Sequence, residues 1–249
     1  MSAPLPVSPS AAESAPTGRF VAWIDGVGAY LVCWGGSKEA LAEPVAHIRI
    51  GGLSGRADVR VAANLGREHA VIHRSGEGYV VEANGPALVA TDAGEHWQSQ
   101  WHTRAQRGSG SGRVVAGRTN LSNGDELVLY QENSTGVRFR FRCPNALTAT
   151  GVLSLASDHR TEPRFDGIIL LAEACLLGPG TDSHIRCPEW PGTLVLFRRD
   201  DQIYCKSNMP SVPLVGTRNG KEVASVEGAI PVESGLHVTG PGISFRLEG

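Results

Sequence analysis

The five cysteines of this 249-residue chain, at 33, 143, 175, 187 and 205, are odd in number and show no Cys-x-x-Cys spacing. That pattern argues against a disulfide framework and a zinc knuckle, and buried thiols in a reducing cytoplasm are expected. Basic charge is not in excess: 23 Lys and Arg against 25 Asp and Glu give a net charge of -2. Without an overall positive field to hold a polyanion, no nucleic-acid partner is expected. Long hydrophobic runs are missing too. The longest apolar stretch, IILLAEACLLG at 168–178, is broken by Glu173 and falls short of the ~20 residues a membrane helix needs, so no membrane partner is expected. Residues 1–18, MSAPLPVSPSAAESAPTG, lack the cationic start and apolar core of a secretion signal and read as a disordered tail.

Turn-formers, by contrast, are plentiful. With 31 Gly and 15 Pro against 6% aromatics and 41% apolar residues, the chain suits many short strands on tight turns, an all-β fold class. Its length allows one large or two modest cores.

An internal repeat organises those strands. HIRIGG (47–52) resembles ACLLGP (174–179), and DVRV (58–61) resembles HIRC (184–187). AVIHRSGEGYVVE (70–82) lines up without gaps on LVLFRRDDQIYCK (194–206), placing Arg74 on Arg198 and Tyr79 on Ile203. Near the ends, NLSNGDELVL and VRFRFR (120–129, 137–142) parallel PVESGLHVT and ISFRLE (231–239, 243–248). In VRFRFR, apolar and arginine residues alternate with the period of a half-buried strand. FVAWIDGVGAYLVCW (20–34) predicts a hairpin. The expected organisation is therefore a tail over 1–18, a first unit over 19–143 with an insertion at 93–120, a linker over 144–164 and a second unit over 165–249.

NLGREHAVIHR (64–74) is dense in ionisable side chains. If both lie on one strand, His69 and His73 share a face but stand about 13 Å apart at the usual ~3.3 Å rise. They cannot share a metal ion, and no metal or other cofactor is expected.

IRIGG, DVRV, NLGREHAVIHR, EGYVVEANG (77–85) and LSNGDELVL (121–129) follow the order of elements in the forkhead-associated domain, and the first unit resembles that family over roughly 20–143. The second unit keeps the framework in CLLGPG, HIRC, LVLFRRDDQIYC, NGK and ESGLHV. The resemblance implies two β-sandwiches in tandem, each reading a phosphothreonine peptide with loops at one end.

Departures from the family pattern fall on the phosphate site. The family's phosphate-gripping arginine falls at Gly52 and its serine at Gly66, while Arg67 and His69 survive, the histidine as a brace for the loops. In the second unit Pro179 takes the arginine position, Trp190 or Pro191 the serine and arginine, and Thr193 the histidine. Charge-assisted hydrogen bonds to phosphate are worth about 1.5 to 3 kcal/mol each, so losing both groups removes about 3 to 5 kcal/mol, two to three decades of affinity. Two features could offset the loss: Arg56 with Arg67 rebuilding a basic pocket, and the amides of Gly52 or Gly66 approaching an anion. Asn84 completes the candidate phosphopeptide-binding set of Gly52, Arg56, Gly66, Arg67 and Asn84.

The sequence thus predicts a cytoplasmic, non-enzymatic protein acting through protein or phosphopeptide partners, with phosphothreonine recognition weakened or lost. One alternative is genuine phosphothreonine binding by the first unit. Another is a hydrolase or small-ligand binder using the insertion at 93–120, with its His96, Trp97, Trp101 and His102.

Overall fold

A computed structural model describes residues 18–35, 47–76, 78–91, 112–115, 117–132, 134–199, 202–209 and 212–249. Every regular element among them is a strand, so the fold class is all-β as expected, and among the described residues no helix is long and apolar enough to cross a membrane. All but the last residue of the tail at 1–18 lies outside the described residues, as does 92–111, the larger part of the expected insertion with both its histidines and both its tryptophans.

In chain order the strands are β1 (Gly18–Ile24), β2 (Gly28–Trp34), β3 (His47–Gly52), β4 (Val59–Val61), β5 (Ala70–Ser75), β6 (Gly78–Ala83), β7 (Ala87–Ala90) and β8 (Gly112–Val114). Next come β9 (Arg118–Leu121), β10 (Glu126–Leu129), β11 (Val137–Arg142), β12 (Gly151–Leu155), β13 (Thr161–Glu162), β14 (Gly167–Leu171), β15 (Ala174–Gly178) and β16 (Ile185–Arg186). The last are β17 (Leu194–Arg199), β18 (Gln202–Ser207), β19 (Val215–Arg218), β20 (Lys221–Val223), β21 (Ile230–Pro231), β22 (Leu236–Gly240) and β23 (Ile243–Glu248).

They form three sheets. A twelve-stranded sheet runs β20-β19-β22-β23-β1-β2-β14-β12-β11-β10-β7-β8, a six-stranded sheet β13-β4-β3-β5-β6-β9, and a five-stranded sheet β16-β15-β17-β18-β21. Two hydrophobic cores separate these layers. Along β2, Ala29, Leu31 and Cys33 enter one core and Val32 the other; along β14, Ile168 and Leu170 enter the first, Ile169 and Leu171 the second. A strand whose successive side chains enter different cores has a layer on each face. The six-stranded sheet therefore covers one face of the long sheet and the five-stranded sheet covers the opposite face, with β1, β2, β12 and β14 in the overlap. Burial on both faces accounts for the unbroken apolar runs in β2 and β14, which pair in parallel.

Strand pairing carries the sequence repeat in register. Ile72 pairs with Val81 and Leu196 with Cys205; Arg74 pairs with Tyr79 and Arg198 with Ile203. Val128–Arg138 in one half likewise answers Thr239–Ser244 in the other. The loop after β7 differs as the alignment indicates. Its counterpart after β19 is only Asn219-Gly220, both at positive φ, 52° and 74°, a turn whose twist suits a two-residue hairpin.

The expected boundaries need correction in one respect. The stretch 144–164, read as a linker, carries β12 and β13, and the two early hairpins are exchanged between the units. β1 pairs with β23 at the far end of the sequence, whereas β11 pairs with β12. Below, the first unit denotes β3–β11 completed by β12 and β14, and the second denotes β15–β23 completed by β1 and β2. Four of the five cysteines are buried free thiols; Cys143 is half-buried.

Candidate functional site

One end of the six-stranded sheet gathers three loops, 52–56, 64–69 and 84–86, around His69. The sequence reading put His69 and His73 on one strand face; instead β5 begins at Ala70, and His69, just before it, turns inward to 1% exposure. His73 stays on the outward face beside Glu82, at 3.6 Å, and Arg118. Among the described residues no group of three or more His, Cys, Asp or Glu side chains is placed to hold a metal ion.

His69 binds the loops to one another. Its Nδ1 accepts the Gly66 N–H at 3.1 Å, which leaves the ring proton on Nε2 to be donated to the Pro86 carbonyl at 3.0 Å. Its backbone N–H donates to Ile50 O and its carbonyl accepts from Asn84 N, both at 2.8 Å. Asn84 also donates from Nδ2 to Glu68 O at 3.2 Å. Gly66, His69 and Asn84 thus meet in one hydrogen-bonded cluster.

Gly52 is closed in. Its N–H donates to the Gly66 carbonyl at 2.9 Å, and a Cβ built on it would stand 2.6 Å from Leu65 O. At Gly55 the approach is closer still, 2.0 Å from such a Cβ to the Arg67 carbonyl. The loop backbones pack where a side chain would project, which only glycine permits. The amides of Gly52 and Gly66, candidate anion donors, are both bonded within the loops.

Arg56, exposed, lines a cleft of about 410 Å³ between β1 and β4 with Arg19, Arg60, Asp58, Glu162 and Glu248, and Arg67 is not among the lining residues. Asp58 is paired with Arg19 and accepts from the Arg49 guanidinium and backbone N–H. Burial pushes its carboxyl up, but the Arg49 hydrogen bonds and the charges of Arg49 and Arg19 together hold it below the usual aspartate value. Carboxylates thus face the Arg19 and Arg60 guanidiniums of this cleft, an arrangement sequence spacing does not disclose because Arg19 lies on β1 and Asp58 in the loop before β4, in different layers.

At the matching end of the second unit, Trp190, read at the serine or arginine position, is buried in the second core with its ring 6.2 Å from that of Phe245. No protein-family model, curated protein or solved structure matches this chain.

Proposed function

We propose that the chain is a non-enzymatic interaction protein of the forkhead-associated type whose first unit has kept the loop framework and lost the phosphate grip. The observation that carries this reading is at Gly52. The position where the family resemblance puts the phosphate-gripping arginine has no space for any side chain, and its N–H, like that of Gly66, is spent inside the loops. Arg67 lies exposed beside this framework, and Arg56 lines a cleft whose guanidiniums already face carboxylates. A lone exposed guanidinium supplies only a fraction of the two-to-three-decade preference a positioned pair gives.

Calorimetric titration of the whole chain with phosphothreonine peptides and their unphosphorylated counterparts tests this. Equal affinities, or no binding by either, are expected. A preference for phosphate of tenfold or more (about 1.4 kcal/mol) that Arg67→Ala removes would establish phosphothreonine reading instead.

A further inference from the structure

The repeat supplies an internal comparison for the outward faces of the two small sheets. In the five-stranded sheet, Cys175, Leu177, Leu194, Leu196, Ile203 and Cys205 enter the second core, so the alternate residues face away from it. They form a cross-strand row, Ala174–Phe197–Tyr204–Pro231, that spans four strands. The matching row of the six-stranded sheet is His47–His73–Val80–Asn120. The first unit's row is thus mostly polar, with Val80 buried, and the second unit's is apolar and aromatic, although backbone and register agree.

Side-chain geometry on that second face is ordered. The Phe197 and Tyr204 rings stack with centroids 5.9 Å apart at 26°, and the Lys206 Nζ stands 5.1 Å over the Phe197 ring. All four residues of the row are half-buried and Lys206 is exposed; the described residues place no layer over them. Charge differs between the faces as well. Lys206 occupies the position that Glu82 holds in the first unit, a reversal of sign at the same register, and Arg186 adds an exposed cation on the outermost strand. Arg199, nearby, is held by Glu227 at 2.7 Å.

We propose that this face, centred on Phe197 and Tyr204 and rimmed by Lys206 and Arg186, docks an extended acidic protein segment carrying an apolar anchor. The proposal rests on the reading of the chain as an interaction protein and gives its second unit a surface of its own. Cations beside stacked aromatic rings favour carboxylates next to an apolar side chain. Three inter-strand spacings make the row about 14 Å long, the reach of about four extended residues.

The test uses the whole chain at low ionic strength and three fluorescent probes: an acetylated Glu-Glu-Leu-Phe-Glu-Glu peptide, its Lys-for-Glu counterpart, and an oligothymidine of about ten nucleotides. The acidic peptide is expected to bind about tenfold or more tighter than the basic one, and Lys206→Glu is expected to reverse that order. Phe197→Thr, at a half-exposed position, is expected to weaken binding of the acidic peptide with little change in unfolding midpoint, and Arg67→Ala to change nothing. Equal binding of the two peptides, or a preference that survives Lys206→Glu, overturns the proposal. Tighter binding of the oligonucleotide than of the acidic peptide also overturns it, in favour of nucleic acid. Because Arg67 lies in the other unit, failure here leaves the reading of the first unit's loops untouched, and the converse holds.

Discussion

Asp58 and His184 hold the same place in the two units. Asp58 accepts the backbone N–H of Arg49 at 3.0 Å, and the Nδ1 of His184 accepts that of Leu176 at 2.9 Å. In the second unit the acceptor is a base, 1% exposed, whose Nε2 lies 2.9 Å from the Thr148 hydroxyl. Protonating Nδ1 would break the bond from Leu176.

Stability should therefore fall in mild acid. Burial lowers His184 from its ordinary 6.5 to about 4. A folded value below the unfolded one means that the unfolded chain takes up the proton first, so the contribution is complete above 6.5 and is lost as pH falls towards 4. The loss is on the order of 2 to 3 kcal/mol. Asp58, held below its ordinary value, gives way only at lower pH. Urea unfolding at pH 7, 5.5 and 4.5 should show the midpoint dropping across this series, and His184→Asn should flatten the drop. A midpoint that does not move between pH 7 and 4.5 rules His184 out as its source.

Introducing the phosphate-site residues of the forkhead-associated pattern should fail at one position and be tolerated at the other. A Cβ at Gly66 meets nothing closer than 3.7 Å, whereas at Gly52 it meets Leu65 O at 2.6 Å. Gly66→Ser is expected to cost under about 1 kcal/mol, and Gly52→Arg about 2 kcal/mol or more through displaced loop backbone. Chemical denaturation of both variants checks the difference; comparable costs would mean that the loops can open.

Tyr79 ties the six-stranded sheet to β12 and β14. Its hydroxyl accepts the Gly151 N–H at 3.0 Å and lies 2.9 and 3.0 Å from the carbonyls of Ala149 and Leu170. Tyr79→Phe leaves a buried N–H unpaired, at an expected cost of about 1 to 3 kcal/mol. An unfolding free energy within 0.5 kcal/mol of the parent, about the usual spread at surface positions, would contradict that role.

The exchanged hairpins make the halves interdependent. A fragment over 165–249 lacks β1 and β2, and one over 19–143 lacks β12 and β14, so each exposes strand edges and core when alone. Co-expressed as 1–143 and 144–249, the two pieces should assemble into one complex, while each alone should give no cooperative unfolding transition. A sharp transition from the isolated 144–249 piece would show that it closes on itself.

Much of this was legible in the residues. Gly and Pro content gave the all-β class, and gapless alignment of AVIHRSGEGYVVE on LVLFRRDDQIYCK gave a register that the pairing reproduces residue for residue. Gly66, His69 and Asn84 were singled out by the family resemblance, not by spacing, and their hydrogen bonds to one another could be seen only in the folded loops. Exchange of the hairpins was not legible. Backbone hydrogen bonds between strands are blind to side chains, and FVAWI and GVLSL each offer an apolar side chain to either core, so nothing local says which sheet edge they join. The pairing of Arg19 with Asp58 was hidden for a related reason: contacts across layers have no fixed sequence separation.

The parallel contact between β2 and β14 welds the two units through five consecutive residue pairs, from Tyr30–Gly167 to Trp34–Leu171, in place of a tether. Spacing and orientation between the His69 loops and the Phe197 face are thereby constant. A partner touching both would meet a ruler of set length, and would gain from simultaneous engagement only if its own geometry matched.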